Sequence, residues 1–314
     1  MINRELIRTK IVQLTYAFFQ NGSSTIDTAE RELLFSLDKA YDLYHYMLAI
    51  IPAITEVARQ RYEVSRARAE RGEGEMPSDR FLNNRFAMQL AENHQLREWQ
   101  ETQKQTWNDN IEVTRRLLDQ IEQSEAYQAY MASETEPEYA DDRELWRKLY
   151  KQFVENNADI DQMLEEKSLY WNDDKEIVDT FVLKTIKRFA PENEAQQELL
   201  PEYNDPDDRD FAVRLFRASI LNSDQYQQYM RQSSRNWDFS RMAYMDIILI
   251  QIAIAEMLSF PAIPVAVTIN EYVDLAKLYS TPKSWKYING MLDTISHYLS
   301  ETGKMLKPVR EEKK

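Results

Sequence analysis

Apolar side chains recur every three or four residues along most of the chain, which places them on one face of an α-helix. This pattern predicts helices at about 3–20, 28–70, 94–132, 142–168, 173–189, 209–232, 238–259, 265–279 and 282–300. Helical periodicity therefore runs through nearly the whole sequence.

Composition supports an all-α fold. The 314 residues include only five glycines and ten prolines, too few for the tight turns of a sandwich, barrel or doubly wound sheet. Good helix formers such as Glu, Gln, Leu, Ala and Arg dominate. With 43% hydrophobic residues, the chain can also bury a sizeable core.

The residues that usually carry catalysis are sparse. The sequence has no cysteine, which excludes disulfides, thiolate metal sites and cysteine nucleophiles. Its histidines, His45, His94 and His297, are scattered, and neither an HExxH motif nor a phosphate-binding glycine loop occurs. We therefore expect a protein that is not an enzyme, with no cofactor and no metal.

The sequence also predicts a soluble, cytoplasmic protein that does not enter a membrane. Its first residues, MINRELIRTK, are charged and lack the apolar core of a signal peptide. The longest apolar run, 245–258, is shorter than the roughly 20 residues of a membrane span and includes Asp246, Gln251 and Glu256. It is predicted to be a buried core helix.

Charge divides the chain into regions with different properties. The net charge is −14, but residues 1–20 carry +2, residues 209–314 carry +3 and residues 21–208 carry −19. The segment at about 190–208, which is rich in proline and carboxylates, has the composition of a linker. This asymmetry predicts an acidic central region between mildly basic ends.

The last predicted helix has two distinct faces. Helical spacing of about 100° per residue puts an apolar stripe on one side and Lys283, Lys286, Tyr287 and Gly290 on the other. Two lysines beside an aromatic ring suit single-stranded nucleic acid, because cations contact phosphates while the ring stacks on a base. The alternative is that Gly290 lets another helix pack closely.

The first helix shows a similar division. Its apolar residues face one side, and Tyr16 lies on the polar side, about two to three turns after Arg4, Arg8 and Lys10. The pattern is consistent with a nucleic-acid surface, or simply with a rim tyrosine and a solvated basic start.

Three short motifs follow one another in the last two predicted helices: Ile269-Asn-Glu271, Val273-Asp-Leu-Ala-Lys277 and Lys286-Tyr-Ile-Asn-Gly-Met-Leu-Asp293. Their combination resembles the NusB family of bacterial transcription antitermination factors. Further similarity occurs at 236–241, at 246–256 and in the first helix. Together these pieces cover about 1–22 and 209–300, a little over a third of the chain.

The resemblance implies a fold of two small helical bundles and a function in antitermination. It implies binding to boxA, a single-stranded element of ribosomal RNA leaders, together with the small-subunit ribosomal protein NusE and RNA polymerase. Mapped onto this sequence, the RNA-binding residues would be Arg4, Arg8, Tyr16, Lys283, Lys286, Tyr287 and Gly290.

We accordingly expect a NusB-like core from 1–22 and 209–302, an acidic helical insertion at 23–208 with its linker at about 190–208, and a polar basic tail at 303–314. The resemblance assigns no role to the insertion, whose acidity predicts no added RNA affinity. The alternative function is a protein–protein scaffold that acts through this insertion without binding RNA. Whether the chain forms a homodimer stays open.

Overall fold

A computed structural model describes residues 1–22, 25–171, 173–233 and 242–305. Within these ranges all regular elements are helices, apart from one isolated parallel bridge between Ile2 and Tyr203. The predicted all-α class is therefore confirmed. The chain divides into two compact units: unit 1 contains Met1 and 38–202, and unit 2 contains 2–37 and 203–314.

Unit 2 is built around one helix that is buried on all sides. Its helices are α1 (Arg4–Asn21), the first half of α2 (Ile26–Leu48), α11 (Asp208–Leu221), α12 (Ser223–Ser233), α13 (Tyr244–Ser259), α14 (Val265–Tyr279) and α15 (Ser284–Glu301). α13 packs against α1, α11, α12, α14 and α15. Every residue from Ile248 to Met257 is buried, so the apolar run is the core helix that the sequence predicts. No helix of the described residues is long and apolar enough to cross a membrane.

Local signals fix both ends of α1. The side chain of Asn3 accepts a hydrogen bond from the Leu6 amide at 3.0 Å, which caps the first turn. Gly22 ends the helix with φ of 61°, a left-handed conformation that glycine adopts without steric cost. Between them, Ile7, Ile11 and Val12 are buried, as the apolar pattern predicts, whereas Leu14, Phe18 and Phe19 of the same predicted stripe are half-buried.

Unit 1 contains the second half of α2 and most of the shorter helices. They are α3 (Ile50–Glu70), α4 (Arg85–Glu92), α5 (His94–Thr102), a 3₁₀ helix (Trp107–Asn110), α6 (Ile111–Glu122), α7 (Glu125–Ala132), α8 (Tyr139–Phe153), α9 (Ala158–Lys167), α10 (Lys175–Arg188) and a second 3₁₀ helix (Pro191–Gln196). Its buried aromatic residues include Tyr44, Trp146 and Tyr150.

Several long predicted helices are interrupted in the structure. Residues 28–70 divide at Ala49, because Pro52 has no amide hydrogen to bond the Leu48 carbonyl. Residues 94–132 and 142–168 are broken where Ser124 and Asn157 cap new helices. Residues 209–232 divide at Asn222, and α4 was not predicted.

The segment predicted as a linker is partly packed. The Gln89 side-chain amide donates to the carbonyls of Ala190 and Glu194, each at 2.9 Å. The Leu200 amide donates to the Tyr44 hydroxyl at 3.1 Å, and Leu199 and Leu200 are buried. These contacts place residues 190–200 in unit 1. The units divide after residue 202 and, near the start of the chain, within α2 after residue 37, whereas the insertion was predicted at 23–208.

Candidate nucleic-acid interface

α15 has one buried face and one open face. The predicted apolar stripe is confirmed, because Ile288, Met291, Leu292, Ile295 and Leu299 are all buried. On the opposite face Lys283, Lys286 and Gly290 are exposed, and Tyr287 is half-buried. The helix thus presents two cations, an aromatic ring and a glycine on a single surface.

Gly290 does not serve helix packing within the described part of the chain. A Cβ atom built at this position has no other atom within 4 Å. No helix of the described residues approaches Gly290, so the alternative interpretation has no support among them. The surface above Gly290 is open to the extent that the structure describes the chain.

Gly290→Ala is therefore expected to stabilise the protein by about 0.5–1 kcal/mol, since alanine restricts the unfolded chain and favours the helix. Urea denaturation of the full chain measures this change in the free energy of unfolding. Gly303→Ala is the contrasting variant: its φ of 65° should make the same substitution destabilising. A loss of stability in Gly290→Ala would mean that the surface is not open.

A buried carboxylate fixes the start of α15. Asp246, near the beginning of α13, accepts hydrogen bonds from the hydroxyl groups of Ser280 and Ser284, the latter at 2.9 Å. Thr281 and Ser284 also share a hydrogen bond of 2.8 Å. The connection between α14 and α15 is therefore tied to α13, and this holds Lys283 and Lys286 in place at the first turn of α15.

Tyrosines from both ends of the chain lie around the N-terminal end of α13. The Tyr16 ring meets the Tyr244 ring edge-on, with centroids 5.6 Å apart. The Tyr287 hydroxyl lies 3.0 Å from the sulfur of Met242, which is two residues before Tyr244 in the chain. Burial, and then the charge of Asp246, raises the pKa of Tyr287 to about 12. We call Tyr16, Tyr244, Lys283, Lys286, Tyr287 and Gly290 the aromatic–lysine surface.

Arg8, by contrast, is a core residue. Its guanidinium donates to both carboxylate oxygens of Glu256, at 2.8 and 3.0 Å, and to Glu271 at 3.1 Å. Arg8 is 4% exposed and Glu256 is 0% exposed. Burial alone would lower the pKa of Arg8, but the hydrogen bonds and charge of Glu256 outweigh it and raise that pKa above its usual range. The Arg8 guanidinium is therefore not accessible to a phosphate.

The other cations of α1 are also placed away from the tyrosines. Arg4 pairs with Asp208 at 3.0 Å and lies over the Phe211 ring. Twelve residues of helix separate Arg4 from Tyr16, a distance of about 18 Å. Lys10 is 2% exposed. Of the predicted RNA-binding residues, the structure brings together Tyr16, Lys283, Lys286, Tyr287 and Gly290, but not Arg4 or Arg8.

Tyr244 belongs to this surface but was not predicted from the sequence. It is 39% exposed and is the first residue of α13. An aromatic residue directly before the buried apolar run was the available signal. The motif at 236–241 lies outside the described residues, as do 306–314 of the predicted tail.

Comparisons with known proteins agree on one family. The sequence model of the NusB family matches residues 177–297, so the match begins inside α10. The transcription antitermination protein NusB of Salinibacter ruber is 33% identical over 135 residues, which are 41% of this chain and 84% of that protein.

Two further relatives carry the same name. The NusB protein of Chloroherpeton thalassium is 37% identical over 102 residues, covering 32% of this chain and 48% of that protein. The NusB protein of Dictyoglomus thermophilum is 37% identical over 101 residues, covering 32% of this chain and 70% of that protein. No solved structure matches the chain significantly.

Proposed function

Because the chain belongs to the NusB family of transcription antitermination proteins, we propose that its aromatic–lysine surface binds a single-stranded, boxA-like RNA. The protein would act by holding this RNA together with the ribosomal protein NusE in the antitermination complex of RNA polymerase. It would act by binding rather than by catalysis.

The observation that carries this proposal is the grouping of one exposed ring, two half-buried rings and two exposed lysines around the start of α13 and of α15. Tyr16, Tyr244 and Tyr287 lie around the start of α13, and Lys283 and Lys286 extend from the adjoining turn of α15. Aromatic rings give stacking platforms for bases, while lysines neutralise phosphates. The open space above Gly290 allows a sugar or phosphate to approach the helix backbone.

Tyr287→Ala is expected to weaken binding of a boxA-like single-stranded RNA by about 1–3 kcal/mol, the usual contribution of one stacked base. Fluorescence anisotropy with the full chain, with and without NusE, measures the change. Tyr298→Ala is the matched control, because Tyr298 lies near the other end of the same helix. Equal loss in both variants would argue against stacking at Tyr287.

Lys283→Ala and Lys286→Ala should each reduce the slope of log affinity against log salt by roughly 0.7 in magnitude, since each removes one contact to a single-strand phosphate. Lys304→Ala, beyond the last turn of α15, should leave the slope unchanged. Gly290→Ala should weaken RNA binding even though it stabilises the helix. RNA binding that none of these changes affects would mean that the RNA binds at another surface. Absence of RNA binding by the unaltered protein would favour the scaffold function instead.

A further inference from the structure

Unit 1 is acidic as a whole, but one of its faces is basic. Residues 38–202 contain 21 Lys and Arg against 35 Asp and Glu. Two stretches depart from this balance, because 143–151 contains Glu144 as its only acid and 181–189 contains none. We define the basic face by the cations of α8 and α10: Arg143, Arg147, Lys148, Lys151, Lys184 and Lys187.

Antiparallel packing brings these cations together. The Arg143 guanidinium donates to the carbonyls of Phe189 and Lys187, at 2.6 and 3.2 Å, so the start of α8 lies beside the end of α10. At the other end the Tyr150 hydroxyl donates to Asp179 at 2.6 Å. Two helices that are remote in sequence therefore contribute charge to one surface.

Glu144 is the only acid of the two stretches, and it is surrounded by these cations. Arg147 donates two hydrogen bonds to its carboxylate, both at 2.6 Å. These hydrogen bonds, chiefly, and then the charges of Lys148 and Lys187, lower the pKa of Glu144. The negative charge of Glu144 thus neutralises the positive charge of Arg147, and the positive charges of the lysines remain in excess.

The lysines of the basic face are exposed, and their ammonium groups are not paired with other described side chains. Within the described part of the chain, Lys148, Lys151, Lys184 and Lys187 make no ion pair and no side-chain hydrogen bond. The arginine-rich stretch 59–71 differs, because four of its five arginines, Arg59, Arg61, Arg66 and Arg71, each pair with a nearby carboxylate. Most of the positive charge is neutralised there, whereas on the basic face it is available to an anionic partner.

We propose that the basic face of unit 1 binds the phosphate backbone of RNA that flanks the boxA-like element. The proposal rests on the proposed function, since it supposes that this protein works on an RNA. Lysine contacts phosphate as a point charge and reads no base edge, so this binding would be independent of sequence. The acidic insertion was predicted to add no RNA affinity. Under this proposal, that prediction would hold for the other faces of unit 1 but not for the basic face.

The test uses the full chain with two RNAs: the boxA-like element alone, and the same element extended on both sides by uridines. The variant carries Lys148→Glu, Lys184→Glu and Lys187→Glu. A control with Arg68→Glu, Lys104→Glu and Arg116→Glu makes the same change in net charge at exposed positions elsewhere in unit 1. Affinity is measured over a salt series, and circular dichroism checks that both variants stay folded.

We expect the basic-face variant to bind the extended RNA more weakly than the control does, with a salt slope smaller by about 2, because three phosphate contacts are lost. Its affinity for the short element should equal that of the control. Equal affinities of the two variants for the extended RNA would overturn the proposal, as would tighter binding of an acidic peptide than of RNA.

The two proposals fail in different ways. Failure of the basic face alone would leave the short RNA sensitive to Tyr287→Ala. Failure of the aromatic–lysine surface would leave Tyr287→Ala without effect on the short RNA, while the extended RNA still distinguished the two charge variants.

Discussion

Replacing Arg8 by methionine is expected to lower the free energy of unfolding of unit 2 by about 3–5 kcal/mol, because the substitution leaves a buried carboxylate without its cation. Among the described residues, Glu256 would keep only the hydroxyl groups of Thr268 and Tyr272 as donors, at 2.8 and 3.2 Å. Two neutral donors do not replace the charge of a guanidinium that donates to both carboxylate oxygens. Hydrogen exchange of the α13 amides reports this change, since these amides are in the core of unit 2.

Two further variants make this prediction specific. Arg214→Met breaks an exposed pair with Asp210 on α11 and should cost less than about 1 kcal/mol. The double variant Arg8→Met with Glu256→Met should recover much of the loss, because apolar side chains of similar volume often replace a buried ion pair at little cost. A loss in Arg8→Met no larger than in Arg214→Met would contradict the buried pair.

Unit 1 is expected to lose about 3 kcal/mol of stability between pH 7 and pH 4 through His45 alone. Burial lowers the pKa of this side chain to about 4, against an ordinary value of 6.5. Its ring is 5% exposed, stacks on Trp99 with centroids 5.4 Å apart, and has Nδ1 2.9 Å from the Tyr41 carbonyl oxygen. The folded state therefore holds a neutral imidazole that the unfolded state would protonate.

The direction of this effect follows from the two pKa values. Above about 6.5 the ring is neutral in both states, and His45 adds no pH dependence. As the pH falls from 6.5 to about 4, only the unfolded state takes up the proton, so stability falls by up to about 1.4 kcal/mol per pH unit. Below about 4 both states are protonated and this contribution stops changing.

Urea midpoints at a series of pH values, followed by tryptophan fluorescence, measure the effect. His45→Gln should be less stable at pH 7 but should lose this component of the pH dependence. His94→Gln is the matched control, because His94 is exposed. An unchanged pH profile in His45→Gln would show that His45 is not the group responsible.

Three helices of unit 2, α1, α14 and α15, could be predicted closely from sequence, but α11 and α12 were predicted as one helix and the helices of unit 1 as longer ones. α1, α14 and α15 have apolar stripes, and clear local signals such as Gly22 and Pro264 lie next to their ends. In unit 1 the apolar spacing continues across several interruptions, so long helices were predicted where short ones occur. Asn157 and Ser124 begin new helices through capping hydrogen bonds, and these residues are equally common in ordinary turns.

Only the residues of the candidate site that share one helix could be predicted from the sequence. Helical angle alone identified the face with Lys283, Lys286, Tyr287 and Gly290. The burial of Arg8 could not be foreseen, because its partner Glu256 is 248 residues away in sequence. The same holds for Tyr244, whose contact with Tyr16 depends on how α1 packs against α13. Helical periodicity carries no information on such long-range pairs.

The Asp246 carboxylate has a consequence for the thermodynamics and rate of the proposed RNA binding. It holds Ser280 and Ser284 in the free protein, so the turn that carries Lys283 would not have to become ordered for a strand to bind at the aromatic–lysine surface. Most of the loss of conformational entropy on association should therefore come from the RNA strand. Association should then be governed by diffusional encounter of lysine and phosphate charges, without a preceding rearrangement of the protein.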